Sequence, residues 1–203
     1  MNAGHQAGLQ DIQRLVRHAQ GGDPGAFEKL VDAYKSKIYN YVLRMLGDPE
    51  VAEDVAQETF IKAYSSLASF RGASSFQTWL YRIASNLAID TMRRRKYRQN
   101  VYSLDQPMDT DEGQMERDIE DDGAEPDRQL QSAQLRRKVS EAILRLSPKL
   151  RTVIVLYELQ GLSYEEIARI VGAPLGTIKS RLFNAREQLK DVLANDVDLE
   201  LFR

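Results

Sequence analysis

A chain of 203 residues, 42% of them hydrophobic, has enough apolar surface for one or two packed domains. It has no cysteine, which excludes disulfides, thiolate catalysis and cysteine–metal sites. It has no run of eighteen apolar residues, and Met1–Gly8 lacks the basic region and apolar core of a signal peptide, so the expected compartment is the cytoplasm. The net charge of −2 is unevenly spread: Asp105–Asp127 holds eleven acidic residues against one basic, Arg117, a local −10 that leaves +8 on the remainder. An acidic segment thus separates two net-basic parts.

In chain order, Leu9–Gln20 predicts an amphipathic helix with Ile12, Leu15, Val16 and Ala19 on one side. Gly21-Gly22-Asp23-Pro24 ends it and starts the next. From Ala26 to Leu46 a helical period runs through Phe27, Leu30, Val31, Tyr34, Ile38, Tyr41, Val42 and Met45, and Gly47 closes it. Asp48-Pro49 caps a third helix, expected to turn Val51, Ala52, Val55, Ala56, Phe60, Ala63, Tyr64 and Leu67 inward. After the loop Phe70–Ala73, Ser74 with Gln77 has capping-box spacing and opens a helix carrying Phe76, Leu80, Ile83, Ala84 and Leu87 inward. Helical period returns from Arg128 through Leu130, Leu135, Val139, Ile143 and Leu146, and Ser147-Pro148 caps a helix that ends near Gly161. The expected fold is all-α: two small helical domains, 9–98 and 128–195, joined by an acidic flexible linker over 99–127, the C-terminal domain being a helix-turn-helix.

The helix-turn-helix is the most strongly patterned stretch. Ser163 and Glu166 form a capping box, Ile167, Ala168 and Val171 line one side, Gly172 suits a left-handed turn, and Pro174 suits the first position of the following helix. That helix buries Ile178, Leu182, Ala185 and Leu189, and at about 100° per residue Gly176, Thr177, Lys179, Ser180, Phe183 and Asn184 face away, with Arg181 and Arg186 on the flanks. Short polar groups in the middle can reach base edges while arginines at the rims hold phosphates; the plain alternative is a helical hairpin with a solvated face.

On the fourth helix, Arg82, Asn86, Asp90 and Arg94 recur every four residues, with Phe76, Trp79 and the Phe70–Ser75 loop at one end and Arg93–Arg98 at the other. Aromatics that stack on unpaired bases, an amide and a basic track suit single-stranded nucleic acid. The alternatives are that Phe76 and Trp79 are core and that the polar stripe is a solvated ladder of ion pairs. The third helix presents Glu53, Asp54, Gln57 and Glu58 outward, as a solvated face or as a docking face for a basic partner. The two histidines, His5 and His18, lie outside that helix, so a carboxylate metal site is rejected. With no phosphate-binding glycine loop and no catalytic triad, neither an enzyme nor a cofactor or small-molecule substrate is expected.

Ala52-Glu-Asp-Val-Ala-Gln-Glu-Thr-Phe-Ile-Lys-Ala-Tyr64, Ser69-Phe-Arg-Gly72 and Phe76-Gln-Thr-Trp-Leu-Tyr-Arg-Ile-Ala-Ser-Asn86 resemble region 2 of the extracytoplasmic-function sigma factors of the bacterial sigma-70 family. Leu146-Ser-Pro-Lys-Leu-Arg151, Gly161–Ala168 and Gly176–Arg186 resemble region 4. The resemblance implies an alternative sigma factor that joins core RNA polymerase, at its clamp helices and flap, and directs promoter-specific initiation. Asp54, Gln57 and Glu58 would dock on the clamp helices. Phe70, Arg71, Ser74, Ser75, Phe76, Trp79 and Asn86 would melt and capture the minus-ten element, supported by Arg93, Arg94, Arg95 and Lys96. Gly176, Thr177, Lys179, Ser180, Arg181, Phe183, Asn184 and Arg186 would read the minus-thirty-five element. The linker would thread the polymerase cleft. A stress or envelope response and an anti-sigma factor, often membrane-bound, are further implications. Many relatives carry arginine where this chain has Lys179 and Asn184, and lysine offers a point charge rather than a fork, so the preferred DNA sequence does not carry over. The competing classes are an ordinary dimeric helix-turn-helix regulator and a helical adaptor that ignores DNA.

Overall fold

The computed structural model describes residues 3–102 and 126–200, with side chains over 10–98 and 134–194. Among the described residues all regular structure is helical: α1 (Ala3–Gln20), α2 (Pro24–Leu46), α3 (Pro49–Ser66), α4 (Phe76–Tyr102), α5 (Pro126–Arg145), α6 (Pro148–Ile154, continued by a π-turn over Val155–Leu159), α7 (Tyr164–Val171) and α8 (Leu175–Glu200). Helix therefore occupies both margins of the expected 99–127 linker, whose interior, 103–125, lies outside the described residues. Arginine, lysine and glutamine carry α4 onward because they are good helix formers, and Pro126 suits a first helical position.

Local chemistry sets most boundaries. Asp23 accepts from the amides of Gly25 and Ala26, and Asp48 from that of Val51, each followed by a proline that has no amide to satisfy. Gly47 closes α2 in the left-handed conformation, φ 74°. Three expected details differ. Ser75, rather than Ser74, caps α4: its Oγ accepts from the Thr78 amide at 3.1 Å and bonds the Thr78 hydroxyl at 2.8 Å. Pro174 sits just before α8, its carbonyl accepting from Thr177 and Ile178. Ser147 caps α6 by position without a side-chain bond.

The core of the first four helices is built on α2, whose Leu30, Tyr34, Ile38, Tyr41, Val42 and Met45 are buried. Alanines 52, 56 and 63 let α3 approach closely, and α4 contributes Phe76, Leu80, Tyr81, Ala84, Leu87 and Ala88. In α5–α8 the core is Ile143, Leu146, Val153–Leu156, Ile167, Ile170, Ile178, Leu182 and Ala185. These two sets form one continuous buried cluster, with α4 against α7 and α2 against α5 and α6. Tyr81, which is not among the residues expected to face inward on α4, is fully buried in this cluster.

Polar contacts fasten the join. The Tyr81 hydroxyl on α4 donates to Gln160 Oε1 at 2.5 Å, while within the first four helices the Tyr41 hydroxyl bonds Ser85 Oγ at 2.7 Å, tying α2 to α4. The Arg151 guanidinium donates to the carbonyls of Met45, Leu144 and Leu146. Those carbonyls close α2 and α5, where a cation complements both helix dipoles. Burial lowers the Arg151 pKa, and its Nε has no partner. Gly47 lies so close to Leu144 that a Cβ there would meet Leu144 Cδ1 at 2.6 Å, which, with its positive φ, makes this position specific to glycine.

Candidate nucleic-acid interface

α4 carries the first candidate surface. Arg82, Asn86, Asp90 and Arg94 are all exposed along it. The ion pair formed there is Asp90 with Arg93 at 3.4 Å, three residues apart, rather than a ladder along the stripe. Phe70 and Trp79 are half-buried and packed at a tilt, ring centroids 5.1 Å apart and planes at 45°. Phe76 lies beneath both, at 6.0 and 5.6 Å. With only 5% of its surface exposed, Phe76 supports the two outer rings and has no free face for a base, which corrects the expectation that it contacts DNA. Arg71, Ser74 and Ser75 stand in the loop with Gly72, which needs its left-handed φ of 71° to turn the chain toward α4.

The start of this loop is tied to α1. Gln20 Nε2 donates to Leu67 O at 3.0 Å and to Phe70 O at 2.7 Å, bracketing the 3-10 turn Leu67–Ser69. Helical periodicity places Gln20 only at the end of an amphipathic helix and gives no sign of these partners.

Farther along α4, Arg93, Arg94, Lys96 and Arg98 are exposed. Arg95 differs from them: its Nη2 reaches Asp48 Oδ2 at 2.6 Å, joining α4 to the cap of α3. That bond is the main reason the Asp48 carboxyl titrates below its ordinary range. Arg95 is thus engaged in an ion pair within the chain, with 40% of its side chain exposed. Tyr97, absent from the sequence-based set, is 71% exposed and shares a shallow groove with Asp90, Arg93, Arg94 and Arg98. An aromatic residue within a basic run was the signal that could have found it.

The helix-turn-helix carries the second surface. Ser163 and Glu166 make a complete capping box, and Gly172 turns left-handed at φ 66° with its amide on Ala168 O. On α8, Ile178, Leu182 and Ala185 are buried, which fixes the helical phase. Gly176, Lys179, Ser180 and Asn184 are exposed, Phe183 is 64% exposed, and Thr177 and Arg181 are half-buried. Arg186 leaves the reading face: Nη2 and Nε reach Glu158 Oε1 at 2.6 and 3.0 Å. Its guanidinium also lies 5.3 Å from the Tyr157 ring centroid, and the Glu158 bond raises its pKa. The π-turn at the end of α6 supplies both Tyr157 and Glu158.

A third surface lies on α3, where Asp54, Gln57 and Glu58 are exposed, Glu58 pairing with Lys62 at 3.0 Å. Beside it runs an apolar groove lined by Phe27, Val31, Phe60, Ile61 and Tyr64, with Glu53 and Gln57 on its rim. Tyr64, expected inward, is 55% exposed and packs edge-on to Phe27 at 4.9 Å; Ile61 is 62% exposed. Among the described residues no His, Cys, Asp and Glu group is arranged to hold a metal, and no helix is long and apolar enough to cross a membrane.

Comparison with known proteins follows the same division. Residues 30–98 match Sigma-70 region 2, and residues 136–189 match Sigma-70 region 4. The chain is 43% identical over 183 residues to the ECF RNA polymerase sigma factor SigW of Bacillus subtilis, covering 90% of this chain and 96% of that protein. It is 41% identical over 182 residues to the ECF RNA polymerase sigma-E factor of Haemophilus influenzae, covering 88% and 93%. Two solved structures share its arrangement at 25% identity. One is CnrH in complex with the cytosolic domain of CnrY, TM-score 0.65, covering 92% of this chain and 99% of that one. The other is the sigma factor RpoE in complex with the anti-sigma factor NepR from Bartonella quintana, TM-score 0.62, covering 83% and 96%.

Proposed function

The chain belongs to the extracytoplasmic-function sigma factors of the bacterial sigma-70 family, and from that premise we propose how its surfaces divide the work of initiation. Residues 9–98 form the region that docks on core polymerase and opens the minus-ten element, and residues 128–195 read the minus-thirty-five element. Asp54, Gln57 and Glu58 dock on the clamp helices, and the groove at Ile61 and Tyr64 supplies apolar area beside them. Phe70 and Trp79 receive an unstacked base, Arg71, Ser74 and Ser75 line its path, and Asn86 reads an edge. Arg93, Arg94 and Lys96 follow the backbone. On α8, Lys179, Ser180, Phe183 and Asn184 enter the major groove, while Gly176 and Thr177 let the helix N-terminus approach a phosphate, flanked by Arg181.

The observation that carries this reading is that α4 buries Phe76, Leu80, Ala84 and Leu87 and α8 buries Ile178, Leu182 and Ala185, while Asn86, Lys179, Ser180 and Asn184 stay exposed. Initiation requires no bond chemistry from the protein. Unstacking a base costs a few kcal/mol, and stacking it on an aromatic ring returns about 1–3 kcal/mol. One pocket therefore comes close to balance, and the polymerase supplies the remaining contacts. The protein acts in the cytoplasm, in a stress or envelope response, without a cofactor. An anti-sigma protein restrains it, a reading supported by the similarity to a sigma factor held by one.

Run-off transcription tests the function. The purified chain added to core polymerase should produce promoter-dependent transcripts, whereas the chain alone should bind the same DNA poorly. Transcription no better than core alone on every template would overturn the reading, as would tight, palindrome-specific binding by a dimer without polymerase.

A further inference from the structure

Gln20 is the last residue of α1 and lies outside both matched regions, yet its amide nitrogen is the one long-range polar contact shown for the start of the base-capture loop among the described residues. The amide has two N–H donors, and both are used: one on Leu67 O and one on Phe70 O. Leu67 O also accepts the Phe70 amide at 3.0 Å. Gln20 therefore holds the 3-10 turn closed at both ends.

The consequence reaches the aromatic platform. Phe70 is where the 3-10 turn passes into the loop, and its ring packs against Trp79 at a 45° tilt, centroids 5.1 Å apart. Fixing the Phe70 carbonyl limits how far that ring can swing off Trp79. At its other end the loop is fixed by the Ser75 cap. Between these points the shown side-chain bond is the local one from Ser74 Oγ to Ser75 O. The α1 end is itself held, since Gly21, Gly22 and Asp23 donate back to Arg17, Ala19 and His18. Gln20 thus projects from a firm support.

We propose that Gln20 is a positioning residue for minus-ten capture, setting the loop and the Phe70 ring in the geometry that receives an unpaired base. The inference rests on the functional reading above and adds α1 to the opening machinery. The Phe70 bond is solvent-exposed and the Leu67 bond half-buried, so their loss costs the fold little. What changes is the order of the loop.

The test compares three holoenzymes, formed with wild type, Gln20→Glu and Gln20→Arg, for binding to a single-stranded minus-ten oligonucleotide, for core affinity and for thermal midpoint. Gln20→Glu keeps the shape but sets a carboxylate against two carbonyl oxygens; Gln20→Arg keeps donors. Gln20→Glu should weaken oligonucleotide binding and open-complex formation about tenfold, as for a loop in the receptive geometry about a tenth of the time, with core affinity and midpoint nearly unchanged, and Gln20→Arg should recover most of the loss. If Gln20→Glu also shifts the midpoint, Gln20→Ala is read in its place against the same expectations. Binding equal to wild type in these variants, or an equal loss of core affinity, would overturn the proposal. A wild-type holoenzyme that itself fails to open promoters would instead contradict the functional reading.

Discussion

The first four helices and the last four differ in how far each closes a core of its own. In the first, α2 is surrounded by α1, α3 and α4 and buries Leu30, Ile38, Tyr41, Val42 and Met45 almost completely. The second has short α6 and α7 helices and finishes its packing against its neighbour: α7 lies on α4, and α6 on α2 and α4. The smaller region borrows burial from the larger one. A fold of this size gains surface coverage that it could not provide alone.

Arg151→Ala should break that dependence most. It removes the guanidinium shared by Met45, Leu144 and Leu146 and leaves carbonyls without partners, so unfolding stability should fall by ~3 kcal/mol. Urea unfolding followed by circular dichroism should then separate into two transitions, the second region melting first. A single transition at the wild-type midpoint would mean that Arg151 does not carry the support between the regions.

Raising the pH sharpens the same comparison. Burial pushes the pKa of Tyr41 and Tyr81 well above the ordinary tyrosine value of 10.0. The unfolded chain then releases their protons first, so stability is full below about pH 10 and declines above it. Tyr81→Phe should cost about 1 kcal/mol at neutral pH, through the lost Gln160 bond, and should make the alkaline decline shallower. An unchanged alkaline slope would remove Tyr81 from the account.

The smallest effect should come from within the first region. Asp48 has a lowered pKa, chiefly from its Arg95 hydrogen bond, so that contribution is present above the ordinary carboxyl value of 3.8 and is lost as pH falls through the depressed one. Both side chains are more than a third exposed, so solvent screening should hold the effect below about 1 kcal/mol. Asp48→Asn keeps a capping oxygen and should remove most of the acid dependence measured by urea midpoints. A wild-type slope in this variant would assign that dependence elsewhere.

Local rules were readable from the residues themselves. Asp23, Asp48 and the Ser163–Glu166 box start helices as their spacing predicts, and the stripe Ile178, Leu182, Ala185 fixes which side of α8 faces out. Long-range partners were not readable. Ser74 and Ser75 both have polar residues three positions on, and the choice between them depends on the Thr78 hydroxyl. Tyr64 falls at the edge of the α3 apolar stripe, where its ring can cover Phe27 and remain exposed. Arg95 and Gln20 find their partners, and Arg151 its Met45 partner, 47 or more residues away in the chain, which helical periodicity does not encode.

Promoter selection from randomised DNA tests whether α4 and α8 read separate promoter elements. Holoenzyme carrying Asn86→Ala should lose preference in the minus-ten element alone, with core affinity retained. Lys179→Ala should lose about 1–3 kcal/mol of discrimination in the minus-thirty-five element alone. Preferences altered in the same element by both substitutions, or in neither element by either, would contradict the claim.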